Sequence, residues 1–170
     1  MKVIFLDIDG VLRTANNVYN ELHDISESQN GFDHAAVRNL NRLLEETNGR
    51  IVVISSLRLN NSIRQLMTIL KCGGVNDPPV IDVTPFVTDN RTMRGHRGRE
   101  ILTWLSKNPS VENYVVIDDC EYNLLAGIPH DRIVKTTYQY GFGTDDAYSR
   151  ALGILQQNTQ NIAVARKKIS

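Results

Sequence analysis

Asp7 and Asp9 stand two residues apart directly behind the apolar run Lys2-Val3-Ile4-Phe5-Leu6, and Gly10 follows them. An extended chain points alternate side chains the same way, so this spacing aims both carboxylates to one side, and the glycine lets the backbone turn away behind them. Two like charges held together require compensation. A hard divalent cation such as Mg²⁺ supplies it, because that ion is held by one or two carboxylates and keeps water or a substrate phosphate in its other positions. A carboxylate so compensated can act as a nucleophile and divide phosphoryl transfer into formation and hydrolysis of an aspartyl-phosphate. The transferred group carries charge on its equatorial oxygens, so the remaining needs of such a site are cations and hydrogen-bond donors.

The chain offers both. Ser55 and Ser56 end the apolar run 51–54, Asp118 and Asp119 end the run 114–117, and Arg91, Arg94, Arg97 and Arg99 crowd one polar stretch. In this scheme Asp7 attacks phosphorus, while Asp9 gives a proton to the leaving oxygen and later removes one from the attacking water. Ser55 hydrogen-bonds a phosphate oxygen, and Arg97 balances nucleophile and phosphate. Asp118 and Asp119 complete a metal site with Asp7 and Asp9. Ser56, Arg58, Arg94 and Arg99 are left to bind substrate, the arginines by contacting neighbouring phosphates of a longer chain. Arg94 and Arg99 also stay open as alternatives to Arg97.

Other chemistries fit less well. There is no GxxxxGK[ST] loop, which argues against a P-loop kinase. A calcium loop beginning at Asp7 would need a glutamate at its twelfth position, where Val18 stands. The four histidines, at 23, 34, 96 and 130, share no spacing, and Cys72 and Cys120 lie far apart without a metal-ligand pattern, as thiols do in a reducing compartment. Tyr138 and Tyr140 beside Gly141-Phe142-Gly143 suit either stacking on a base or packing along a sheet edge.

The elements that must carry these residues alternate along the chain. Strands are expected at 2–6, 51–54, 80–83, 114–117 and from 133. Helices are expected at 34–48 behind the N-cap Asp33, from Ile63 to Gly73-Gly74, at 98–107, and behind Thr144, where Asp145 and Asp146 suit the positive end of the helix dipole. Residues 13–32 read as a polar excursion. Such alternation implies an α/β fold of Rossmann-like, three-layer α/β/α type with a mostly parallel sheet, and open sheets of this kind bind ligands beyond the carboxyl ends of their strands. Asp7/Asp9, Ser55/Ser56 and Asp118/Asp119 all fall at that edge.

The chain has 170 residues, 41% of them apolar, enough for one core. We expect one domain over residues 1–160 and a basic tail over 161–170. With 19 basic and 19 acidic residues there is no global field favouring a polyanion or membrane, so any polyanion site is local. No stretch approaches the roughly 20 apolar residues of a membrane span, which makes a cytoplasmic location the default.

Taken in order, Asp7-Ile8-Asp9-Gly10-Val11-Leu12, the strand ending in Ser55, Arg97-Gly98 opening a helix, and Val116-Ile117-Asp118-Asp119 resemble the haloacid dehalogenase-like (HAD) phosphatase superfamily. Val53 to Arg58, Asp82-Val83-Thr84-Pro85 and Arg97 to Leu102 are most similar to the small HAD domains of RNA-repair proteins and of phage-type polynucleotide phosphatases. Leu57 stands where that group often has Trp, Arg97 where the superfamily more often has Lys, and Asn123 where many relatives have another acid. The resemblance implies an aspartyl-phosphate mechanism, Mg²⁺ dependence, and the roles given above for Asp7, Asp9, Ser55, Arg97 and Asp118 or Asp119. The inserts are too short for a large cap, and capless members often act on macromolecules. The expected activity is therefore phosphomonoester hydrolysis on a polynucleotide terminal phosphate or a nucleotide. A phosphotyrosine-type protein phosphatase and a non-catalytic phosphate-binding module are the alternatives.

Overall fold

The computed structural model describes residues 1–15, 31–87, 96–120 and 125–157. Arg91, Arg94, Asn123, the tail 161–170 and most of the polar excursion lie outside the described residues.

Five strands, β1 (Lys2–Leu6), β2 (Arg50–Val53), β3 (Val80–Val83), β4 (Asn113–Asp118) and β5 (Ile133–Lys135), form one sheet in the order β3-β2-β1-β4-β5. Every pairing is parallel. The near-continuous apolar runs of the central strands are explained by burial on both faces. Ile4, Leu6, Ile51, Val53, Val115 and Ile117 pack on one side with α1 (His34–Thr47), α2 (Ile63–Cys72) and α4 (Asp145–Gln156). Val3, Phe5, Val52, Ile54 and Val116 pack on the other with α3 (Arg97–Lys107). Phe5, fully buried, meets Trp104 and Tyr114 edge-to-face with ring centroids 5.5 and 5.8 Å apart.

The helices begin where their caps predict. Asp33 accepts from the Ala36 N–H, Ser62 and Gln65 form a reciprocal capping box, and Thr144 accepts from the Ala147 N–H. Two details differ from the sequence pattern. α1 stops at Thr47 because Asn48, with φ 50°, takes the left-handed turn ahead of Gly49. In α3 the buried stripe is Gly98, Glu100, Ile101 and Trp104, with Leu102 and Leu105 only partly covered.

Candidate active site

Strand register builds the centre of the site. Leu6 on β1 pairs with Ile117 on β4, so the next residues, Asp7 and Asp118, emerge side by side at the carboxyl edge. On the other flank Leu6 pairs with Val53, and Ile54 donates to the Leu6 carbonyl, which brings Ser55 up beside them. With β1 central and β2 and β4 on its two sides, this is the crevice at which chain connectivity reverses direction, the usual ligand position in doubly wound sheets.

Asp7 is buried, its Oδ1 accepting from the Ile8 N–H at 2.9 Å and its Oδ2 from Arg97 Nη1 at 2.5 Å. The same Nη1 donates to Asp118 Oδ2, also at 2.5 Å, while Asp118 Oδ1 accepts from the Cys120 N–H at 2.9 Å. Arg97 comes from the first residue of α3, on the opposite face of the sheet from α1, and bridges the two strands from there. Burial raises the Asp7 carboxyl to about 6, with Asp118 adding to the rise and Arg97 opposing it. The two carboxylates hold the Arg97 guanidinium firmly protonated against the effect of its own burial. Asp119 is also raised, by burial and then by the Asp118 charge.

Two glycines make the arrangement possible. Gly10 adopts φ +75°, and a Cβ there would lie 2.0 Å from Asp119 Oδ2, so the turn after Asp9 tolerates no side chain without displacing Asp119. Gly98 lets the start of α3 approach the 125–126 backbone, where a Cβ would stand 2.2 Å from the Ala126 carbonyl oxygen. A hydrogen bond from Thr136 Oγ1 to the Gly10 carbonyl and one from the Phe142 N–H to Val11 tie the loop after β5 to this turn.

Asp7, Asp118 and Asp119 each offer a carboxylate oxygen, and these lie within 4.8 Å of one another. A set of hard oxygen donors with a deficit of positive charge suits Mg²⁺. The carboxylate of Asp9 is not part of this cluster. β1 ends at Leu6, and Asp9 is exposed beyond it, with Arg13 Nη1 3.4 Å from its Oδ1 and its charge among those that raise Asp119. A solvent-facing carboxylate beside the cluster suits proton transfer better than direct metal ligation.

Ser55 is buried and caps the short turn Ser56–Leu59, its Oγ accepting from Leu57 N–H at 3.4 Å. Ser56 and Arg99 are exposed. Arg58 departs from its expected role in substrate binding. Its guanidinium is buried and committed to protein groups: Nε to the Thr84 carbonyl, Nη1 to the carbonyls of Ile54 and Ser55, and Nη2 to Glu100 Oε2. Glu100 went unnoticed in the sequence. An acid on the apolar stripe of α3, four residues before Trp104, was the available signal. Tyr138 and Tyr140 are 57% and 49% exposed, which decides against packing at the sheet edge.

A parallel sheet in this order, with an acidic cluster bridged by a cation at its carboxyl edge, defines a Rossmann-like domain of HAD type. Residues 3–147 match the family described as the HAD domain in Swiss Army Knife RNA repair proteins. The chain belongs to that family, which brings it among HAD-type, phosphatase-like domains. No curated protein and no solved structure gives a significant match. Among the described residues no helix is long and apolar enough to cross a membrane.

Proposed function

We propose that this chain is a Mg²⁺-dependent phosphomonoesterase that works through an aspartyl-phosphate on Asp7 and acts on the terminal phosphate of a polynucleotide or on a nucleotide. The observation that carries the reading is the single Arg97 nitrogen 2.5 Å from both Asp7 and Asp118, inside a three-aspartate cluster. That geometry supports the reading because it gathers a buried carboxylate, a guanidinium and three carboxylate donors at one point.

In this mechanism Asp7 Oδ attacks phosphorus, the phosphorus–oxygen ester bond breaks, and Asp9 gives its proton to the departing oxygen. Asp9 then takes a proton from the water that hydrolyses the acyl-phosphate, which returns Asp7 and releases inorganic phosphate. Ser55 and Arg97 bind the phosphoryl oxygens throughout. Asp7, Asp118 and Asp119 would hold Mg²⁺, whose charge offsets that of the substrate and of the carboxylates around it.

The macromolecular substrate is supported by openness and by two aromatic side chains. Residues 56–96, between Ser55 and Arg97, include α2 and β3, and what remains is too short for a large cap domain. Tyr138 and Tyr140 are exposed on a loop whose backbone bonds to the 11–15 turn, with the Ala15 N–H donating to the Tyr138 carbonyl at 2.8 Å. Exposed aromatics near a phosphate site suit base stacking.

The deciding experiment is phosphate release with Mg²⁺ and with EDTA, across an aryl phosphate, nucleoside monophosphates, 3′- and 5′-phosphorylated oligonucleotides and a phosphotyrosine peptide. Metal-dependent release with preference for an oligonucleotide or nucleotide is expected. Preference for the peptide would make the chain a protein phosphatase. Binding without release from any ester would make it a phosphate-binding module.

A further inference from the structure

Arg58 and Glu100 form a buried ion pair at 2.6 Å with side chains 5% and 1% exposed. The pair belongs to no expected reaction step. Its partners are informative, because each lies next to a residue the site depends on. Arg58 Nη1 holds the carbonyl of Ser55 itself at 3.0 Å and that of Ile54 at 2.8 Å, at the end of β2. Nε reaches across to the Thr84 carbonyl at 3.0 Å, at the end of β3. Glu100 is three residues after Arg97 on α3, and its second oxygen accepts from the Val87 N–H at 3.1 Å.

One guanidinium–carboxylate pair therefore joins the Ser55 turn, the end of β3 and the first turn of α3, which approach the site from different elements. A buried pair of this kind is a poor device for stability alone, since well-packed apolar residues often do as well. It is a good device for fixing geometry, because Arg presents its donors in a rigid planar fork. We infer that Arg58 and Glu100 are positioning residues that set the separation between Ser55 and Arg97, the two groups that would grip the phosphate. The inference rests on the phosphatase reading for the identity of that ligand.

The test compares Glu100→Gln and Arg58→Lys with Trp104→Phe, all well below their melting temperatures. Trp104→Phe loosens α3 at a distance from the site by removing the 2.6 Å bond from Nε1 to Asp82. The readouts are kcat and KM for an aryl phosphate, and the affinity of the Mg²⁺-loaded protein for inorganic phosphate. Both pair variants are expected to melt cooperatively, to lose at least tenfold in kcat and to bind inorganic phosphate several-fold more weakly, while Trp104→Phe keeps both values at a similar loss of melting temperature. Glu100→Gln retains the side chain's shape and an acceptor for Val87, so it carries the test if Arg58→Lys fails to fold.

Wild-type kcat and phosphate affinity in a folded pair variant would overturn the inference, as would equal losses in Trp104→Phe. A wild-type protein that binds inorganic phosphate but hydrolyses no ester would overturn the phosphatase reading alone, and the affinity comparison would still decide the role of the pair. If the wild type binds no phosphate, both fall.

Discussion

As the proposed nucleophile, Asp7 carries two opposed demands, since it must be ionised and a carboxylate buried beside Asp118 resists ionisation. Arg97 answers the second demand from 2.5 Å, and Mg²⁺ would complete the answer. Asp7→Asn keeps the shape and removes the nucleophile, so turnover should fall by at least a thousandfold while the melting curve stays cooperative. Phosphate-release kinetics and thermal melts on the same sample check this. A pH dependence follows with a definite sign. In the metal-free protein the Asp7 carboxyl is protonated below about 6 and must lose that proton before it can ligate a cation. The apparent affinity for Mg²⁺ should therefore be flat above pH 7 and drop by up to about tenfold per pH unit below 6. Titration of Mg²⁺ by calorimetry at pH 5, 6, 7 and 8 measures it, and proton release in two buffers of different ionisation enthalpy confirms its origin.

At the scale of elements, the contact between α3 and the 125–126 backbone decides where Arg97 sits. Gly98→Ala would ordinarily strengthen a helix by about 1 kcal/mol, but here the new Cβ would meet the Ala126 carbonyl oxygen at 2.2 Å. The clash should win, at about 1–3 kcal/mol of lost stability, and turnover should fall with it as Arg97 shifts. Gly153, exposed in α4 with nothing within 4 Å of its Cβ position, provides the opposite case. Gly153→Ala should raise the melting temperature by a few degrees and leave turnover unchanged. Calorimetric melts of the two variants separate helix propensity from close approach. The same elements explain how much was legible beforehand. Strands buried on both faces write themselves as apolar runs, and caps such as Asp33, Ser62 and Thr144 mark helix starts locally, so the sheet and the three acidic or serine-bearing strand ends could be read directly. The direction of a side chain could not. Arg58 and Arg97 are both arginines near element starts, yet one turns into the interior and the other to the aspartate cluster, and the difference lies in Glu100 and Asp118, distant in sequence. Exposure was equally illegible, because Asp7 and Asp9 follow the same strand, yet Asp7 is buried and Asp9 is open to solvent.

For the molecule as a whole, zero net charge and an acidic carboxyl edge mean that any polyanionic substrate must be gripped locally. Arg99, exposed two residues after Arg97 at the start of α3, and the two exposed tyrosines after β5 are the groups available for that grip. Each would act differently on a substrate that extends beyond its terminal phosphate. A cation contacting a neighbouring phosphate releases counterions, so it makes binding weaken with salt, whereas stacking on a tyrosine does not. Arg99→Ala should raise KM for a phosphorylated oligonucleotide and flatten its dependence on salt. Tyr138→Ala and Tyr140→Ala should raise the same KM by about 5-fold or more, as the loss of one stacked base implies, and leave the salt slope intact. None of the three should change KM for an aryl phosphate, which reaches neither group. Steady-state kinetics at 50, 100 and 200 mM salt with both substrates distinguish the cases. Identical salt slopes for oligonucleotide and aryl phosphate in the wild-type protein would show that nothing beyond the terminal phosphate is recognised. The polynucleotide substrate would then give way to a small phosphate ester.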